Sequence, residues 1–145
     1  MKTPFLFHLI LLLAWNLVAQ DGNQLRLGRF GCLGSKEFIF QIHEAKLERL
    51  PNWHPDGDKP APLSLKRAAE LGRAALKLRH PNIQEFETSS VTIREVVDNK
   101  RYGVWFYLID YLGKTDGKPV ASCGLYAVIL MDGTSVEPIV TSGNK

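Results

Sequence analysis

Ser64 to Arg79, SLKRAAELGRAALKLR, is the one stretch of this chain with a sustained helical period and a cap at each end. It decides what the rest of the chain has to provide. At about 100° per residue, Leu65, Ala68, Ala69, Gly72, Ala75 and Leu76 fall on one arc, with Leu71 and Leu78 at its margin. Lys66, Arg67, Glu70, Arg73 and Lys77 gather on the opposite side. Ser64 is a good N-cap, Lys77, Arg79 and His80 sit where the helix dipole favours cations, and Pro81 ends the helix. The middle of the apolar stripe is Ala and Gly, which lets another backbone approach closely. A sheet surface satisfies that better than a second helix with interlocking leucines, and no other amphipathic helix is available for a bundle.

The remaining segments read as strands. Lys36 to Leu47 alternates Phe38, Phe40 and Ile42 against Ile39, Gln41 and His43, with a turn of helix available in EAKLERL. Pro51 to Pro62 holds four prolines and suits a stiff surface connection into the helix. Beyond the helix, strands are expected over 85–97, 102–112, 120–131 and 134–141. The breaks between them are Asp98-Asn99, Thr115-Asp116-Gly117 and Asp132-Gly133. Asp132-Gly133 carries a two-residue type I′ signal, which pairs Met131 with Thr134, Ile129 with Val136, Ala127 with Pro138 and Leu125 with Val140. That apolar face is expected to carry the helix. Ser122, Gly124, Tyr126, Val128, Ser135 and Glu137 take the other. The fold class is therefore α+β, one amphipathic helix on a four- to five-stranded antiparallel sheet, in the order strand, helix, four strands.

The residues before the first strand read as an export signal and a lead-in. Met1 and Lys2 are followed by the apolar run FLFHLILLLA, too short to span a bilayer, and then by polar Gln20, Asp21, Gly22 and Asn23. Residues 1–19 read as a signal peptide cleaved after Ala19, the alternative being an uncleaved anchor. Residues 20–35, with Gly22, Gly28, Gly31 and Gly34, read as a flexible lead-in, and 36–145 as one domain. Cleavage removes Lys2 and no acid. The mature chain keeps 17 basic and 15 acidic residues, too close to neutral for nucleic-acid binding, and no membrane span. An exported chain is periplasmic or extracellular, where Cys32 and Cys123 are free to bond. Their disulfide closes about 90 residues and is worth on the order of 4 kcal/mol. The alternative is a pair of half-buried thiols.

Ser64-Leu65-Lys66-Arg67-Ala68 and Ile129-Leu130-Met131-Asp132-Gly133-Thr134 together are similar to the helix start and final hairpin of PepSY-type domains, and the element order resembles the cystatin-like fold. The resemblance spans residues 63–140. It implies a small bacterial module, secreted or membrane-associated, of a kind in some cases linked to regulating peptidases. The chain lacks the Gln-x-Val-x-Gly loop of cystatin inhibitors, and Ser135 stands where such domains often have Gly. No functional residue carries over.

Tests for chemistry leave little. Cys123 falls in a strand, Cys32 in the lead-in, and His43, His54 and His80 are spread over a strand, the proline segment and the helix end, so no thiol, base and orienting group are evident together. His54, Asp56 and Asp58 lack the length of a calcium loop, and Asp-Gly pairs are above all turn formers. No metal or other cofactor is expected. Trp105, Tyr107, Tyr111 and Tyr126 are the candidate ligand-binding residues. As an aromatic set on an open sheet face they would receive a peptide, glycan or small apolar ligand, or join two copies as a homodimer. The other reading is that the first strand and the proline segment, with Trp53, close that face. The expected function is an exported, non-enzymatic binding or protein-interaction module; the alternative is a small hydrolase or metal-dependent enzyme on the same fold.

Overall fold

The computed structural model describes residues 24–31, 36–96, 103–120 and 125–142. It is an α+β arrangement in three layers: a three-stranded antiparallel sheet, a five-stranded antiparallel sheet, and one 15-residue helix. The elements run β1 (Gln24–Gly31), β2 (Lys36–His43), α1 (Glu44–Leu47), α2 (Leu65–Arg79), β3 (Glu85–Glu95), β4 (Trp105–Thr115), β5 (Lys118–Pro119), β6 (Tyr126–Leu130), β7 (Ser135–Val136) and β8 (Pro138–Ser142). The smaller sheet has the order β1-β2-β8. The larger has β3-β4-β6-β7, with β5 paired to β4.

The helix forms where its period places it. Ser64 caps it by accepting from the Arg67 N–H at 3.2 Å, and its buried residues are Ala68, Gly72, Ala75 and Leu76. Leu65 and Leu78, on or beside the expected stripe, are instead exposed. The small residues do bring the helix close to a sheet. A Cβ on Gly72 would lie 2.5 Å from the Tyr111 hydroxyl and 3.0 Å from the Ala127 Cβ.

The single-sheet expectation is corrected to two sheets, for two local reasons. The expected lead-in holds β1: Leu25, Leu27 and Phe30 pack into the core, and the glycine that hides the alternation marks a register shift between Arg26 and Gly28. The Phe30 ring folds over Gly28, where a Cβ would meet it at 2.5 Å. At the other end, residues 134–141 do not make one strand. β7 stays in the larger sheet, and after Glu137 the chain crosses to pair β8 with β2.

The final hairpin is also displaced by one residue. Val128 pairs with Val136 and Ile129 with Ser135, leaving a three-residue loop Met131-Asp132-Gly133 in which only Gly133 has a positive φ, of 88°. The Gly133 N–H donates to Leu130 O and the Leu130 N–H to Thr134 O, the pattern of a type I turn followed by a bulge. Asp132 holds it there, one carboxylate oxygen accepting from the Thr134 N–H at 2.9 Å and the other from Lys46 Nζ at 2.6 Å. The slip turns Val136 away from the helix. The type I′ turn occurs instead at Asp116-Gly117, where both φ are positive, 51° and 71°.

In the larger sheet, β4 and β6 are buried on both faces. Phe106, Leu108, Val128, Leu130 and Val136 meet Leu27, Phe38, Phe40 and Ile42 of the smaller sheet, with Leu47 and Leu50 closing one end. Tyr107, Ile109, Tyr111, Leu125, Ala127 and Ile129 meet Ala68 and Leu76 of α2. Among the described residues, no helix is long and apolar enough to cross a membrane.

Candidate functional site

The four aromatic residues expected on one open face do not share one. Tyr107 and Tyr111 lie under α2, 1% and 2% exposed, and their hydroxyls donate to Leu63 O and Ala69 O, each at 2.7 Å. Burial pushes both phenols up, Tyr111 to about 12, with Arg73 pulling slightly the other way there. Tyr126 pairs with Asp110 and so faces the smaller sheet, its ring 4.9 Å from that of Phe30. The open aromatic face expected for a ligand or a homodimer is thus corrected to a covered one. Two apolar alternations on β4 hide which set is outward, and the β4–β6 register places Tyr107 opposite Ile129, on the helix side.

Trp105 remains at the edge of this layer, half-buried, and marks the exposed feature that the sequence reading passed over. The proline-rich connection folds into a cleft of about 270 Å³ lined by Asn52, Trp53, His54, Gly57, Asp58 and Lys59. Its geometry follows from turn chemistry. His54-Pro55-Asp56-Gly57 closes with the Gly57 N–H donating to His54 O at 3.1 Å. Proline stands at the second position and glycine at the fourth, as a type I turn favours. The His54 imidazole Nδ1 accepts from the Asp56 N–H at 3.2 Å, fixing the ring over its own turn.

The rest of the connection is tied down by Trp53. Its indole Nε1–H donates to Lys59 O at 2.9 Å, drawing the two ends of the cleft together, and its backbone N–H donates to Gly103 O. Gly103 has φ of 83°, and a Cβ there would meet Asn52 Oδ1, so glycine is required on both counts. Behind the cleft, the Trp105 ring stands edge-on to Trp53 and His54, with centroids 6.4 and 5.4 Å away at 80° and 82°. Asp56 lies 3.8 Å from His54. The signals for the turn were legible as His-Pro-Asp-Gly; the cleft itself depends on the indole reaching Lys59, which no short motif records.

A second polar group lies at the far end of α2. Arg79, largely buried, donates from Nη2 to Tyr126 O at 3.0 Å and faces Glu137 at 3.6 Å, while its Nε and Nη1 make no hydrogen bond. Beside it His80 caps the helix, its N–H donating to Leu76 O. Burial, then Arg79 and Lys36, hold the His80 imidazole below its ordinary value. These groups tie the helix end to β6 and the β7–β8 crossing, so we read them as structural. His43 caps α1, accepting from the Ala45 N–H at 3.3 Å. The three histidines therefore sit at three separate places. Cys32 and Cys123, with the expected disulfide, and the expected signal peptide lie outside the described residues.

No protein-family model, curated protein or solved structure matches this chain.

Proposed function

We propose that this chain is an exported, non-enzymatic binding or protein-interaction module whose ligand meets the Asn52–Lys59 cleft. The observation that supports this is the construction of the cleft. It stands on the surface, yet its walls are held by the Trp53–Lys59 hydrogen bond, the His54 turn and the edge-on packing of Trp105. A polar surface loop with no role gains little from being fixed against its own conformational entropy, whereas a binding site gains affinity from it. Catalysis would call for a reactive pair, and here the His54 Nδ1 is engaged by the Asp56 N–H. The fold reading that accompanies this proposal is a cystatin-like order of strand, helix and meander, akin to PepSY-type domains, elaborated by the second sheet that β1 and β8 build on β2.

Two measurements test it. Expression of the full chain in a bacterial host with an envelope, followed by N-terminal sequencing, is expected to give a product in the periplasm or medium beginning at Gln20. A cytoplasmic product beginning at Met1 overturns export. An NMR screen of the purified protein against neutral saccharides, tripeptides and small aromatic compounds is expected to shift amides of Asn52 to Lys59 and the Trp105 indole. Conversion of a probe, or the absence of any cleft shift, overturns the binding assignment.

A further inference from the structure

We infer that the free edge of β3 is a self-association surface, on which a second copy of this chain lays its own β3 antiparallel, about a two-fold axis at Val91. The larger sheet ends on one side in β7, two residues long, and on the other in β3, which has eleven. Among the described residues no strand pairs with the outer side of β3, and Phe86 is the strand's only buried residue. The strand holds no proline or lysine, residues that commonly blunt such an edge. Its backbone directions follow from its neighbours. The Tyr111 N–H of β4 donates to Leu125 O, toward β6, and the Val96 N–H donates to Val104 O. Antiparallel alternation then turns the N–H and C=O groups of Val91, Ile93 and Glu95 outward, away from β4. Phe86 O, in the same phase, accepts from Arg73 Nε at 3.0 Å, so the edge is capped there and open from Thr88 to Glu95.

The bulge sets the register. Thr88 pairs with Tyr111 and Ser90 with Asp110, leaving Ser89 as the extra residue. Glu87 and Arg94 would lie on opposite faces of an unbroken strand, because an odd number of residues separates them. With Ser89 out of the ladder, both share the face of Leu112 and Phe106 and stand equally far along the ladder from Val91. An antiparallel copy with Val91 on the axis therefore sets each Glu87 opposite the partner's Arg94, twice by symmetry. Ser90 then meets the partner's Thr92, and Thr88 the partner's Ile93, which covers an exposed isoleucine. Val91 meets its own copy, whereas an axis one step away on either side would oppose two serines or two threonines. One short ladder is a small interface, so the association is weak and depends on concentration.

Sedimentation equilibrium and NMR of the purified protein, from micromolar to millimolar concentration, test this. The mass is expected to rise toward twice that of one chain, with amide shifts over Thr88 to Glu95. Glu87→Arg and Arg94→Glu are each expected to weaken dimerisation at least tenfold, and the two together to restore it. Val91→Pro takes away an outward N–H that β4 does not use, and is expected to leave a folded monomer. Should that variant unfold, the charge exchange still decides. A protein that stays monomeric throughout, shifts confined to another strand, or a double variant no better than its parents would overturn the proposal.

Discussion

Gly72 is where the packing of helix on sheet is decided. A methyl group there would overlap the Tyr111 hydroxyl at 2.5 Å, yet that hydroxyl is itself well placed, donating to Ala69 O one turn away. The glycine costs helix propensity and gains a close approach. Gly72→Ala is therefore expected to destabilise the protein by about 1 to 3 kcal/mol, despite alanine being the better helix former. Tyr111→Phe removes one hydrogen bond and is expected to cost about 1 kcal/mol. Removing the hydroxyl also makes room for the methyl, so the double variant should lose less than the two single losses combined. Urea unfolding of the four proteins measures the coupling, and simple additivity would show that the two atoms do not contend for the same space.

Two Asp-Gly pairs of identical sequence make different turns, and the contrast shows how far local signals reach. Asp116-Gly117 joins β4 to β5 with both residues left-handed, and its glycine has open space around it. Gly117→Ala should therefore cost about 1 to 2 kcal/mol from backbone conformation alone. Gly117→Asn, which tolerates that region better, should recover part of the loss in the same thermal melts. An alanine variant as stable as the wild type would mean that the hairpin contributes nothing to the folded state. Asp132-Gly133 looks the same in sequence but is committed elsewhere through Lys46 and Thr134, distant or side-chain partners that a dipeptide does not announce. The helix was legible because its caps and stripe are local, as was the short α1 after β2. Val136 takes the face opposite to the one its hairpin signal predicts, because one residue of slip inverts a strand. The cleft was legible only as a turn, since Trp53 closes it through a bond six residues along.

At the scale of the whole molecule, the larger sheet is the shared wall of two cores, and the end of α2 is tied to both the sheet and its crossing strand. There Arg79 reaches Tyr126 O and Glu137, while His80 sits beside it under the influence of Arg79 and of Lys36 from β2. The folded protein thus disfavours a third positive charge at this junction, with Glu137 the acidic group that faces it through Arg79. A base whose folded pKa is lowered binds its proton more readily in the unfolded chain. Its contribution is then fully present above the ordinary value of 6.5 and is lost as pH falls from there toward the folded value. Thermal stability should accordingly decline between about pH 7.5 and about pH 5.5, and His80→Gln, which cannot take up the proton, should flatten that slope. Parallel curves for the wild type and the variant would remove His80 as the source. Replacing Lys36 by Met should shrink the same slope from the opposite side of the junction, because one of the two charges that oppose protonation is gone.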